Sequence, residues 1–188
     1  MSLRNLLRIF YLILFLNSSF AQTMNGKFTA SYGYFSINAK TAQTSTTVSN
    51  PSAFHLAYLQ PKWNNWEFKL GYSVLLADFA GSDMGYGIDA GINYYPLSDA
   101  GDEKFTDGKV TVIRYEEWRP FVGFSFNQRS FQSIRSSYAG FGFSTGVEKY
   151  LNEKMNIRSE LRYVNLVGSS ESEATETSLW VGVVFKLP

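Results

Sequence analysis

The sequence predicts an all-β protein, an eight-stranded antiparallel up-and-down transmembrane β-barrel, and three observations lead there. Apolar residues trade places with small or polar ones at every second position through most of the chain, which is the period of a strand. Short connectors alternate with long ones between these segments. The 188 residues are 45% hydrophobic and 17% aromatic, too apolar for a disordered chain, yet no run after the N-terminus reaches the ~20 apolar residues of a spanning helix.

The first 21 residues read as a leader. Arg4 and Arg8 give it a positive start, Ile9 to Leu16 form an unbroken apolar stretch, and Ser19-Phe20-Ala21 ends it in small residues. This is the pattern of a secretory signal peptide cleaved after Ala21; Asn17 interrupts the run before it could anchor as a helix. Cleavage removes two arginines and takes the net charge from +1 to −1. Residues 22–188 are then expected to form one barrel domain outside the cytoplasm.

Six strands follow from alternation alone. Trp66, Phe68, Leu70, Tyr72, Val74 and Leu76 face one way, and Glu67, Lys69, Gly71 and Ser73 the other. Tyr86, Ile88, Ala90, Ile92 and Tyr94 oppose Gly87, Asp89, Gly91, Asn93 and Tyr95. Trp118, Pro120, Val122, Phe124 and Phe126 alternate with Arg119, Phe121, Gly123, Ser125 and Asn127. Phe141, Phe143, Thr145 and Val147 alternate with Gly140, Gly142, Ser144, Gly146 and Glu148. Ile157, Ser159, Leu161 and Tyr163 oppose Arg158, Glu160 and Arg162; Leu179, Val181, Val183, Phe185 and Leu187 oppose Trp180, Gly182, Val184 and Lys186. Phe54 to Gln60 adds a seventh, with His55 opposite Phe54. Gly26 to Ile37 adds an eighth whose faces are mixed.

Residues 61–65 and 151–155 read as tight turns, whereas 38–52, 77–84, 129–137 and 167–177 read as longer polar loops. Short turns on one side and long loops on the other are the pattern of an up-and-down barrel in an outer membrane, with both termini in the periplasm. The connector from Leu97 to Glu117 breaks that pattern. It contains Lys109-Val110-Thr111-Val112-Ile113, which suggests a strand overhanging below the membrane.

Periodicity leaves open which face points outward, and a soluble sandwich or lipocalin-like barrel shares the alternation. Volume favours the membrane form: eight strands enclose little space, so the Gly and Ser face fits inside and the aromatic face belongs against lipid. Tyr58, Trp66, Tyr94, Trp118 and Phe185 fall at one end, and Phe54, Tyr86, Phe126 and Tyr163 at the other. Two aromatic girdles are expected where rings meet lipid headgroups.

The inward charges are Glu67, Asp89, Glu148 and Glu160 against Lys69, Arg119, Arg158 and Arg162, equal in number and opposite in sign. An unpaired charge in a narrow, poorly hydrated lumen costs several kcal/mol, roughly, so a charge-paired network filling the lumen is expected. The outer half of that face offers Ser73, Gly87, Ser125, Asn127, Gly140 and Gly142. These small residues suggest a shallow vestibule above the charged plug, with filling by Phe35, His55 or Trp180 as the competing expectation.

The chain resembles a known family, the small eight-stranded OmpA/OmpX-like and opacity-protein barrels grouped as outer membrane β-barrel domain proteins. The likeness spans the mature chain and rests on Gly91-Ile92-Asn93-Tyr94-Tyr95-Pro96, Arg119-Pro120-Phe121-Val122-Gly123, and Gly146-Val147-Glu148-Lys149-Tyr150-Leu151 followed by Arg158-Ser159-Glu160-Leu161-Arg162-Tyr163. It departs in the long 97–117 connector and in ending Phe185-Lys186-Leu187-Pro188 rather than on an aromatic residue. The resemblance implies a monomer in the outer membrane of a bacterium with two membranes. Its partners there would be lipid, lipopolysaccharide and, during insertion, the barrel-assembly machinery.

Several function classes are disfavoured. The near-neutral charge gives no footprint for nucleic acid, and the absence of Cys removes disulfides, thiolate metal sites and a Cys nucleophile. No cofactor or metal motif occurs. The lone histidine, His55, faces inward near the expected outer end of its strand. Small barrels that modify lipid A use such a residue with Ser and an acid, and Asp78 and Asp83 lie in the next loop, but nothing fixes the spacing. Arg129, Arg135, Glu171, Glu173 and Glu176 read as solvated loop tips that could meet an unknown surface ligand. The expected role is therefore structural or interactive at the cell surface, without enzymatic activity. The alternative is a narrow pore for small or hydrophobic molecules, and after it a lipid A-modifying barrel.

Overall fold

The computed structural model describes residues 26–40, 45–76, 84–101, 103–107, 110–131, 136–168 and 172–187. The leader assigned to residues 1–21, together with Asp78, Asp83, Arg135 and Glu171, lies outside the described residues. Among the described residues there are ten strands: β1 (Lys27–Lys40), β2 (Ser45–Lys62), β3 (Trp66–Leu75), β4 (Gly85–Tyr94), β5 (Glu103–Asp107), β6 (Val110–Arg114), β7 (Trp118–Phe131), β8 (Ser136–Asn152), β9 (Met155–Gly168) and β10 (Glu173–Lys186). Eight of them close into an antiparallel barrel in the order β1-β10-β9-β8-β7-β4-β3-β2.

Closure satisfies the backbone without leaving an edge. β10 returns to β1 along its whole length, from Lys27 opposite Lys186 to Lys40 opposite Glu173. Tracing partners around the wall from Tyr58 passes Leu70, Ala90, Phe126, Phe141, Asn165, Thr175 and Asn38 and returns to β2 at Thr47. The strands are therefore strongly tilted, as closure of a barrel requires.

The 97–117 connector does not lengthen a barrel strand. β5 and β6 pair with each other, Glu103 opposite Arg114 and Asp107 opposite Val110, as a separate hairpin between β4 and β7. The expected overhang is thus a small independent sheet, because Val, Ile and Thr favour a strand wherever a partner is found.

Three turns close the same end. In the first, Trp63 and Asn64 both adopt left-handed backbone, φ 49° and 54°, the reversal that suits the twist of a short hairpin. In the second, Asn152 Oδ1 accepts hydrogen bonds from the amides of Lys154 and Met155, 2.9 Å each. The third is the β4–β7 crossing, where the hairpin hangs.

Among the described residues, the segments 38–52, 129–137 and 167–177 read as outer loops are strand in large part, through β1, β2, β7, β8, β9 and β10. β3 and β4 stop at Leu75 and Gly85, and residues 77–83 of the remaining loop lie outside the described residues. The phase of the alternation hides this. Along β1, Phe28, Tyr32 and Tyr34 point out and Lys27 and Thr29 in; higher up, Phe35 and Ile37 point in and Asn38 and Lys40 out. Along β9, Ile157, Leu161 and Tyr163 face out and Arg158, Glu160 and Arg162 in, but beyond them Val164 and Leu166 face in and Asn165 out. The lower wall is apolar outside and charged inside. Higher up the outside is mainly polar and the inside mainly apolar, and that switch is why β1 looks mixed in the sequence.

Candidate functional site

Strand parity carries every candidate charge into the barrel interior. Glu67, Lys69, Asp89, Arg119, Glu148, Arg158, Glu160 and Arg162 are all buried. Their outward neighbours Trp66, Phe68, Leu70, Val122, Ile157 and Leu161 are exposed. The girdle residues Tyr58, Trp66, Tyr94, Trp118 and Phe185 at one end, and Phe54, Phe126 and Tyr163 at the other, also face outward.

The charges form two connected layers. In the lower one, Glu148 pairs with Arg119 and with Lys27, whose Nζ lies 2.9 Å from Glu67 and 3.3 Å from Glu148. Arg158 Nη1 reaches Glu67 at 3.0 Å, and its Nη2 reaches Glu160 at 3.3 Å. In the upper one, Glu160 binds Lys69 at 2.7 Å and Arg162 at 3.0 Å, and Arg162 binds Asp89 at 3.2 Å. Glu160 joins the layers.

Four buried groups in or above this cluster escape the candidate set. Lys27 belongs to the strand with mixed faces. Tyr95, just past β4, receives a hydrogen bond from Arg158 Nη1 at 3.1 Å and donates toward Glu67 at 3.1 Å or Glu148 at 3.3 Å. Arg129 and Glu176 are not solvated tips: both are fully buried, with Arg129 Nε 2.6 Å and Nη2 3.1 Å from the carboxylate. Glu176 also accepts from Ser178, which accepts from the indole of Trp180 at 3.0 Å. Parity from Trp180 through Ser178 to Glu176 was the signal that could have found the pair.

The vestibule is filled. Phe35, Ile37, Ala53, Leu75, Phe131, Tyr138, Val164, Leu166, Ala174 and Trp180 pack as one buried apolar cluster in the upper interior. The room that Gly87 provides is taken by Arg129, whose Nη1 would lie 2.5 Å from a β-carbon there. Small inward residues on β4 and β8 are matched by large inward residues on β1, β7, β9 and β10, since a close-packed interior leaves few voids.

His55 sits mid-barrel rather than near the outer end, because β2 continues to Ser45. Its Nε2 meets Asp89 at 3.1 Å, its ring packs 5.3 Å from that of Trp180, and the residue is 2% exposed. Gly71 makes this contact possible: a β-carbon there would lie 2.4 Å from His55 Nε2 and 2.6 Å from Asp89 Oδ2. Ser73, its neighbour across β3, has a buried hydroxyl without a hydrogen-bond partner. The histidine and its acid lie beneath the apolar cluster. The geometry orients a ring between layers and offers no open face for a substrate among the described residues. No group of three or more metal-ligating side chains occurs among the described residues.

The lower mouth is floored by the root of the hairpin. Tyr95, Ala100 and Phe121 form a buried apolar cluster. The Ala100 amide donates to Asn64 O at 2.6 Å, and Asn65 Nδ2 donates to the carbonyls of Tyr95 and Ser98 at 2.9 Å each. Arg119 Nη1 donates to Gly101 O at 3.1 Å. The 95–101 segment is therefore tied to the barrel from both sides.

Among solved structures the chain is similar to Neisserial surface protein A, at 17% identity and a TM-score of 0.56, over 85% of this chain and 97% of that one. Its fold is shared with the small outer-membrane barrels. Ail of Yersinia pestis aligns at 16% identity over 87% of this chain and 100% of that one, TM-score 0.42. The N-terminal β-barrel domain of Pseudomonas aeruginosa OprF aligns at 14% over 88% and 100%, TM-score 0.45. No family model and no curated protein matches the chain.

Proposed function

We propose that the chain is an integral outer-membrane protein that holds a sealed barrel in the lipid and presents a solvated collar at the cell surface, with a structural or surface-interaction role. The reversal of polarity along the strands carries this reading. An exterior of Phe68, Leu70, Tyr72, Val122, Phe124, Leu161 and Val181 would be costly in water, whereas a closed barrel leaves no backbone group unpaired in lipid. Higher up, outward Asn38, Thr47, Asn165 and Thr177 suit water or the sugars of lipopolysaccharide, and the apolar side turns inward as in a soluble sheet.

The interior supports a closed scaffold. Ion pairs fill the lower lumen and apolar side chains the upper, so the barrel has no open conduit through its described residues, and His55 serves as a packing element beside Asp89. On this reading the protein is a monomer without catalytic activity, inserted by the barrel-assembly machinery after removal of residues 1–21.

Electrophoresis of the outer-membrane fraction with and without boiling tests the proposal. A folded barrel confined to that fraction migrates differently when unboiled. A protein found in the soluble periplasm with no shift would mean that the apolar face covers something other than lipid.

A further inference from the structure

Above the apolar wall, β2, β1, β10 and β9 share one outward row of uncharged polar side chains. Thr47 stands opposite Asn38, Asn38 opposite Thr175, and Thr175 opposite Asn165. Two residues below Asn165 on the same face is Tyr163 of the upper girdle, opposite Thr177. Two residues of strand span about 7 Å, and the tilt of the strands makes the rise in height smaller. A headgroup layer extends roughly 5–8 Å beyond the hydrocarbon on each side. The polar row is therefore level with the headgroups of the lipids that surround the barrel, and not in open water.

The row is rigid, uncharged and open. Ile37, Ala174, Val164 and Leu166, the inward neighbours of Asn38, Thr175 and Asn165, belong to the upper apolar cluster. On the outside, Asn38 Nδ2 donates to Thr47 Oγ1 at 2.9 Å, and Asn38 Oδ1 accepts from Ser45 at 3.3 Å. The side chains of Thr175 and Asn165 have no hydrogen-bond partner among the described residues. Among the described outward residues of this face, the charges are Lys40 and Glu173, which stand opposite each other.

We propose that this face packs against the sugars of lipopolysaccharide in the outer leaflet, through hydroxyl and amide hydrogen bonds and without recognition of the lipid's phosphates. Sugar hydroxyls both donate and accept, as Asn and Thr side chains do, whereas phosphate recognition uses Arg or Lys. Neighbouring strands lie about 4.8 Å apart, so one sugar ring reaches side chains on two of them. The inference rests on the membrane reading and orientation proposed above, with this end of the barrel outward.

The full barrel is folded in phosphocholine micelles, checked by its unboiled mobility, and titrated with three lipids while amide NMR is read at Asn38, Asn165 and Thr175. Core-bearing lipopolysaccharide is the first, digalactosyl diacylglycerol supplies sugar without phosphate, and phosphatidic acid supplies phosphate without sugar. Both sugar lipids should bind about tenfold or more tighter than phosphatidic acid, and excess EDTA should leave that preference in place. In Asn38→Ala/Asn165→Ala the preference should fall below about twofold, while Glu153→Gln, in the turn at the other end, should keep it. No saturable shift with lipopolysaccharide, binding of phosphatidic acid as tight as that of digalactosyl diacylglycerol, or an unchanged preference in the double variant would each overturn the inference. Insertion into vesicles is read separately. A barrel that inserts but shows no sugar preference overturns this inference alone, and one that fails to insert overturns the membrane reading with it.

Discussion

Arg129 on β7 and Glu176 on β10 meet in the barrel interior through two hydrogen bonds, Nε to Oε2 at 2.6 Å and Nη2 to Oε1 at 3.1 Å, with neither side chain exposed. The two strands are not neighbours in the wall. The pair therefore braces the barrel across its lumen, within the span of the apolar cluster, between Ala174 and Trp180 on β10. Breaking such a pair leaves a buried charge, at a cost of about 3–5 kcal/mol, whereas replacing both partners by apolar groups is often neutral. Arg129→Met is expected to lower stability by about that amount, and Arg129→Met/Glu176→Met to restore most of it. Urea unfolding in micelles measures both, and equal losses in the single and double variants would deny the brace.

Gly71 leaves the space in which His55 and Asp89 touch. Gly71→Val should separate them and cost about 1–3 kcal/mol from overpacking, with a changed His55 ring resonance in NMR. A variant with wild-type stability and an unchanged resonance would show that the interior relaxes around the new side chain.

The reversal of polarity along the wall predicts position-dependent tolerance of charge. Leu161, half-way along β9 and facing outward, should lose about 2–4 kcal/mol on substitution by Arg, while Thr47→Arg, high on β2, should cost about 0–1 kcal/mol. Folding into lipid vesicles at graded urea gives the comparison. Equal costs at the two sites would place the lipid boundary elsewhere.

A lumen filled by ion pairs below and Phe35, Leu75, Phe131, Leu166 and Trp180 above should carry no steady current. The purified barrel in a planar bilayer is expected to show no stable unitary conductance at moderate voltage. A reproducible ohmic step would favour the narrow-pore reading instead.

The parts of the structure legible in the sequence are those whose cause is local. Period two with a constant phase marks β3, β4, β7 and the lower parts of β8, β9 and β10, and parity alone directs Glu67, Lys69, Asp89, Arg119, Glu148, Arg158, Glu160 and Arg162 inward. Lys27 was lost because the apolar residues of β1 move from the outward to the inward face at Phe35 while the parity of the strand stays the same, so they seem to occupy both faces. Arg129 and Glu176 were read as exposed because the strands around them turn a polar face outward, and outside the lipid that face looks like a loop. The vestibule expected over Gly87 and Gly140 failed for a different reason. Residue size on one strand says nothing of what the opposite strand sends into the same space.

The sequence by itself determined the strand period, the barrel class and the side of the wall on which the eight candidate charges of β3, β4, β7, β8 and β9 fall, because each follows from the alternation of one strand with its own neighbours. Only the tertiary structure decided which charges meet, that Arg129 finds Glu176 across the lumen, that Trp180 and Phe35 close the upper interior, and that the hairpin root floors the lower mouth. Those contacts depend on strand tilt and register after closure, which bring together residues forty or more positions apart. No local pattern encodes the distance across a barrel.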